Sequence, residues 1–100
     1  MWISVQKIIN SRIAHSVEEG QRVRNIAIYG VMQGEKTVID FSGIDVVSAR
    51  FLRHSVGHLM SIFSLEAFNF LFDIMIFGIN PQGEWIVSQL ASNEKERVFP

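Results

Sequence analysis

Cysteine is absent from this chain of 100 residues, and only two residues are proline. Without cysteine there can be no disulfide bond, no thiolate nucleophile and no zinc site with sulfur ligands. The chain also lacks a run of charge of one sign, since its nine Lys and Arg are spread among ten Asp and Glu. A nucleic-acid-binding patch is therefore not expected. Stability must come from the packing of apolar residues, which make up 48% of the sequence.

The length of the chain allows one hydrophobic core, so we expect a single domain over residues 1–100. The first nine residues lack the cleavage site of a secretory signal, and the expected location is therefore the cytoplasm. Residues 62–79 are nearly continuous in apolar side chains and approach the length of a membrane span. However, Glu66 and Asp73 lie inside this segment, and an acidic residue near the centre of a span costs about 2.5 to 3.5 kcal/mol. We expect no membrane span.

Apolar patterning in the first half of the chain predicts two strands and a helix. The β-branched residues of 2–9 predict a first strand that ends at the Asn10-Ser11 turn signal. A capping box at Ser16 and apolar residues at helical spacing predict a helix over 17–33. The short β-branched run 36–41, bounded by glycines, predicts a buried central strand.

The second half of the chain continues the alternation of helices and strands. The predicted elements are a helix over 48–63, a short helical turn over 65–71, a strand over 72–77 and a third helix from Asn80-Pro81 to about residue 97. The order βαβαβα predicts an α/β fold with a small, mostly parallel sheet and right-handed crossovers. Function is then expected at the carboxyl ends of the strands.

Four polar residues follow the predicted central strand, namely Asp40, Ser42, Asp45 and Ser48. A serine and an aspartate there could serve as nucleophile and base, but no histidine completes a triad at a recognised spacing. Turn formation through side-chain to backbone hydrogen bonds is the favoured interpretation. The residues leave open a small enzyme, or a nucleotide- or ligand-binding domain, which would need a cavity of roughly 300 Å³ or more beside Asp40.

The pair His54 and His58 is spaced four residues apart, so both would share one face of the predicted helix over 48–63. Zinc metalloproteases use this spacing for two ligands. The catalytic glutamate of that motif is missing, and no third ligand is close in sequence. We therefore expect neither a metal nor another cofactor.

The segment 65–77 contains more large apolar side chains than one helical turn and one strand can bury. Most are expected in the core. The excess predicts a contact surface, because an exposed apolar patch above a few hundred Å² on a soluble monomer usually marks an interface. We predict a two-fold homodimer through this segment or through the exposed edge strand.

A longer motif spans the central strand and the helix that follows it. The sequence reads IDFSGI over 39–44, then SAR over 48–50, Phe51, and VGHL over 56–59. This motif resembles the signature of the STAS-like domain family of unknown function, which is a strand close to "vDFSGV", a loop ending in serines, and a helix that opens with Phe and carries "FGKL". The resemblance extends more faintly over residues 16–97. Family members are similar to the anti-sigma-factor antagonists, small bacterial cytoplasmic proteins that bind a serine kinase of the histidine-kinase-like ATPase type.

The resemblance implies a non-catalytic regulatory module whose partner is an ATPase- or kinase-like protein. The partner would bind the loop 42–48 and the first turns of the following helix. The implied contact residues are Asp40, Ser42, Asp45, Ser48, Arg50 and Arg53. Arg50 occupies the position at which the antagonists carry a phosphorylated serine, which leaves Ser48 as the candidate for phosphorylation. Arg53-His54 stands where the family usually has an acidic pair.

Overall fold

The first strand is shorter than the sequence predicts. A computed structural model describes residues 1–75 of the chain. Strand β1 (Trp2–Ser4) passes directly into a short helix, α1 (Val5–Ile9), so the predicted strand over 2–9 is wrong beyond Ser4. The hydroxyl of Ser4 caps the helix by accepting a hydrogen bond from the amide of Lys7 at 3.3 Å. Val5 and Ile9 are four residues apart and both buried, which is helical spacing.

The other elements alternate less simply than predicted. They are β2 (Ile13–Ala14), α2 (Val17–Met32), β3 (Thr37–Asp40), β4 (Val46–Val47), α3 (Ala49–His54), α4 (Val56–Ile62), α5 (Leu65–Leu71) and β5 (Phe72–Met75). The prediction of an α/β fold with a small parallel sheet is confirmed. The simple order βαβαβα is wrong in detail, because α1 and two short strands were not predicted and one predicted helix is broken. The predicted third helix lies outside the described residues, as do the last two residues of the predicted strand 72–77.

The main sheet has three parallel strands in the order β1-β3-β5, so β3 is central as predicted. Ile39 of β3 pairs with Ile3 of β1 and with Ile74 of β5. Paired residues point to the same face of the sheet, and this face carries Ile3 and Ile39, both buried. The carboxyl ends of the strands therefore meet at one edge, at Asp40.

A second sheet, formed by β2 and β4, was not predicted. It pairs Ile13 with Val46 and Ala14 with Val47 in parallel. Ala14 and Val47 are buried, whereas Ile13 and Val46 are 49% and 43% exposed. Two residues per strand are too few for a periodicity signal, which explains why the sequence did not reveal this sheet.

Helix α2 confirms the predicted helix over 17–33 to within one residue. Ser16 accepts a hydrogen bond from the amide of Glu19 at 3.0 Å, which is one half of the predicted capping box. α2 approaches α3 closely at Gly20. A Cβ atom at this position would lie 2.8 Å from the carbonyl oxygen of Phe51 and 3.3 Å from Cβ of His54. The absence of a side chain at Gly20 therefore sets the distance between the two helices.

The predicted helix over 48–63 is broken at Ser55 into α3 and α4. The hydroxyl of Ser55 is fully buried and donates to the carbonyl of Phe51 at 2.9 Å. The amide of Ser55 bonds instead to the carbonyl of Leu52 at 3.2 Å, so the side chain satisfies the carbonyl that the backbone leaves free. Serine competes with the helical ladder in this way, and the continuous apolar stripe concealed the break.

The core lies between the buried face of the main sheet and the helices. Its largest fully buried side chains include Phe41 and Phe51, whose rings meet edge to face with centroids 6.2 Å apart. The segment 65–75 divides between core and surface, since Phe68 and Phe72 are buried and Phe70 is 77% exposed. Within residues 1–75, no helix is long and apolar enough to cross a membrane.

Candidate functional site

A tight turn follows β3 at the carboxyl edge of the main sheet. The amide of Ile44 donates to the carbonyl of Phe41 at 3.1 Å, and Gly43 has a φ of +87°. A side chain at Gly43 would be strained by this φ and would also collide with the carboxamide of Gln6. The glycine of the motif is therefore required by backbone geometry.

Asp40 stabilises this turn from the end of β3. Its Oδ1 accepts from the amide of Ser42 at 2.8 Å and its Oδ2 accepts from the indole Nε1 of Trp2 at 2.9 Å. Burial opposes ionisation of the carboxyl, but the hydrogen bonds from Ser42 and Trp2 together outweigh it and lower the pKa of Asp40. The turn-forming interpretation of Asp40 agrees with these contacts.

The loop 42–48 is joined to the beginning of β2 through Arg12 and Asp45. Arg12 Nε and Nη2 donate to the two carboxylate oxygens of Asp45 at 2.7 and 2.8 Å. The amide of Asp45 also donates to the carbonyl of Arg12 at 2.7 Å. The hydrogen bonds and the charge of Arg12 lower the pKa of Asp45. The same contacts with Asp45 raise the pKa of Arg12. The two-pronged contact fixes the loop although both side chains are more than half exposed.

Ser48 closes the loop and begins α3. Its hydroxyl accepts from the amide of Phe51 at 3.0 Å and donates to the carbonyl of His15 at 3.1 Å. Its own amide donates to the carbonyl of Ala14 at 2.9 Å, next to the small sheet. The predicted N-cap is confirmed, and the hydroxyl is engaged in structure on both its donor and its acceptor side.

Two arginines project from α3 beyond this cap. Phe51 and Leu52 face the core, whereas Arg50 and Arg53 are exposed. The acidic side chains of residues 1–75 that form ion pairs do so elsewhere, with Arg12, Lys36 and the chain's amino group. Arg50 and Arg53 therefore carry their charge to the surface.

The two histidines lie on different helices, since the break at Ser55 separates His54 in α3 from His58 in α4. The prediction that they share one face of a continuous helix is wrong. They are still close enough to interact: partial burial first, then the charges of Arg24 and His54, lower the pKa of His58. No group of three His, Cys, Asp or Glu within residues 1–75 is placed to hold a metal ion.

A cavity of about 420 Å³ opens next to the loop. The wall residues that the structure describes come from α1 and the turn after it, and are Gln6, Lys7, Asn10, Ser11 and Arg12. Asp40, Ser42 and Asp45 are not among the lining residues. The cavity is therefore not formed by the polar residues that a ligand-binding interpretation of the sequence had selected.

The family model of the STAS-like domain of unknown function matches residues 19–83, which is more than half of the chain. The chain belongs to this family. The matched span of this STAS-like domain includes β3, the loop 42–48 and α3, and so covers the motif on which the resemblance was based. Neither the curated proteins nor the solved structures gave a significant match.

Two residues of this STAS-like domain were missed because they precede the family motif. Arg12 anchors the loop, and Ile13 places an exposed apolar side chain beside Val46. Asp45 lies 33 positions from Arg12, so no local pattern connects the two. The β-branched residues Ile13 and Val46-Val47 could have indicated two paired strands. Their pairing becomes visible only when the fold is known.

Proposed function

We propose that this STAS-like domain is a non-catalytic regulatory module that binds a protein partner through the loop 42–48 and α3. The partner class is an ATPase- or kinase-like regulator, as the resemblance to anti-sigma-factor antagonists implies. The observation that carries the proposal is the exposure of Val46, Arg50 and Arg53 on a segment whose backbone is held from several sides.

The first support is rigidity. Asp40 holds the turn, Arg12 holds Asp45, and Ser48 holds the beginning of α3. A surface that is ordered before binding loses little conformational entropy when a partner docks. Polar side chains of this kind hold the backbone of the binding surface in place. We assign this positioning role to Asp40 and Ser42.

The second support is the composition of the exposed side chains. Ile13 and Val46 are neighbours across the small sheet and provide an apolar contact. Arg50 and Arg53 are exposed on α3, which begins two residues after β4 ends. An apolar centre with arginine nearby is typical of protein interfaces.

The third support is the sign of the charge. Arg24 on α2 adds a further positive charge where α2, α3 and α4 pack together, and this charge helps to lower the pKa of His58 and so favours its neutral form. The partner surface that best complements α3 and its neighbours is therefore acidic.

Charge reversal tests the proposal. Co-purification from the native host should recover the partner, and Arg50→Glu and Arg53→Glu should then each weaken its binding by at least about tenfold, because like charges placed opposite each other cost several kcal/mol. Lys36→Glu is the matched control, since Lys36 is an exposed cation that precedes the other end of β3. Isothermal titration calorimetry gives the three affinities. Equal affinity of wild type and both arginine variants would remove α3 from the interface.

Phosphorylation of Ser48 belongs to the same proposal. A phosphate would replace the hydroxyl hydrogen that Ser48 donates to His15, and would bring negative charge next to Arg50. Incubation with the partner kinase and ATP, followed by mass spectrometry, should place phosphate on Ser48 of the wild type and none on Ser48→Ala. Phosphate on another serine would refute this assignment.

Self-association stays a prediction. Within the segment 65–75, only part of the apolar side chains is available for it, because Phe68 and Phe72 are buried. Phe70 lies with Glu66 and Asn69 on the exposed side of α5, and Phe68 and Phe72 stack in the core with centroids 5.2 Å apart. Phe70 is therefore the aromatic side chain of residues 65–75 that a second copy of the chain could contact.

A further inference from the structure

The cavity beside α1 has two cationic side chains in its lining. Within residues 1–75, Lys7 and Arg12 line the cavity together with Gln6, Asn10 and Ser11. None of these lining residues of the described part of the chain is acidic, although the chain as a whole has a formal net charge of −1. We propose that this cavity binds a small multivalent anion of the phosphate class.

The size and the donors of the cavity fit such a ligand. Its volume of about 420 Å³ is within the range of roughly 300 to 1,000 Å³ for small-molecule sites. Lysine contributes a compact charge for phosphate oxygens, and the carboxamides of Gln6 and Asn10 contribute neutral N–H donors. Charge-assisted hydrogen bonds of this kind are about twice as strong as neutral ones.

The two cations play different parts. Arg12 uses Nε and Nη2 for Asp45, which fixes the guanidinium, while its Nη1 makes no hydrogen bond to any residue within 1–75. Asp45 also offsets part of the charge of Arg12. Lys7 makes no ion pair in the same described part of the chain, so it contributes the larger share of uncompensated charge.

The position of Arg12 connects the cavity to the loop 42–48. An anion that contacts Nη1 places negative charge on the same guanidinium that Asp45 binds, and Asp45 is part of that loop. Ligand binding should therefore be felt at Asp45 and Val46. The anion site does not depend on the proposed partner, because it can be measured on the chain alone.

The test is a titration of the full chain with pyrophosphate, followed by NMR of the backbone amides. We expect saturable shifts confined to residues 6–12 and to Asp45 and Val46. Lys7→Gln should weaken binding by about tenfold or more, as expected for loss of one charge-assisted hydrogen bond. The fold should survive, because the side chain of Lys7 is exposed and only its amide takes part in the cap of α1.

Lys36→Gln is the matched control. It makes the same change of charge at an exposed residue whose ion pair with Asp73, at 3.4 Å, contributes little to stability. Its affinity for pyrophosphate should equal that of the wild type, and citrate should bind the wild type clearly more weakly. Equal weakening by the two variants would overturn the proposal, and so would shifts spread over the whole surface. Equal affinity for citrate would overturn the assignment to the phosphate class.

Discussion

The break between α3 and α4 predicts a large effect for a very small substitution. Ser55→Ala removes one oxygen atom from a fully buried side chain. The carbonyl of Phe51 then loses the hydroxyl that bonds to it at 2.9 Å, and the amide of Ser55 cannot replace it while that amide bonds to Leu52. An unsatisfied buried acceptor costs about 1 to 3 kcal/mol. For a domain of this size, each kcal/mol lowers Tm by about 4 to 8 °C.

Thermal and urea unfolding of the wild type and Ser55→Ala measure this cost. Ser61→Ala is the matched control, because the hydroxyl of Ser61 also bonds a helical carbonyl, that of His58 at 2.7 Å, but is exposed to water. The control should change the free energy of unfolding by less than about 0.5 kcal/mol. If Ser55→Ala is no more destabilising than Ser61→Ala, the hydroxyl does not maintain the break and the reasoning is refuted.

Three further predictions follow from other contacts. Gly20→Ala should destabilise the fold by roughly 1 to 3 kcal/mol in urea denaturation, because its Cβ would press on the carbonyl of Phe51; a more stable variant would contradict the close approach of α2 and α3. The lowered pKa of Asp40 means that its stabilising contribution is present above the ordinary carboxyl pKa of 3.8 and is lost as the pH falls through the lower folded-state value. The free energy of unfolding of Asp40→Asn should therefore fall less than that of the wild type over that acid range. Identical acid unfolding curves would show that Asp40 does not contribute to the acid sensitivity. Phe70→Asp should convert a dimer into a monomer in light scattering at micromolar concentration with an unchanged circular dichroism spectrum, whereas a monomeric wild type would contradict self-association.

Periodicity was informative where an element was long enough to repeat. α2 has four buried residues on one stripe and a cap at Ser16, and the sequence located both of its ends. The sequence predicted one strand where β1 and α1 lie, because Ile3, Val5 and Ile9 fit a strand by composition. The signal for the helix was Ser4, since serine is favoured at the N-cap position that it occupies in the structure. The break at Ser55 depends on one buried hydroxyl, which a hydrophobic stripe does not reveal.

The candidate site was predicted in outline because its residues are adjacent in the chain. Asp40, Ser42 and Ser48 were expected to form turns and a cap, and the backbone hydrogen bonds match that expectation. What the sequence could not supply is the contribution of Arg12 and Ile13, which come from another part of the chain. Long-range pairs of this kind depend on strand register, and register is a property of the folded sheet.

The parallel pairing of β1 with β3 and of β2 with β4 has a practical consequence for the boundaries of the domain. The family model begins at residue 19, inside α2, so residues 1–18 with β1 and β2 lie outside it. A fragment cut at that boundary would expose one side of β3 and one side of β4 and would leave Asp45 without its arginine. Exposed strand edges promote aggregation. The folded unit of this STAS-like domain must therefore include its first two strands.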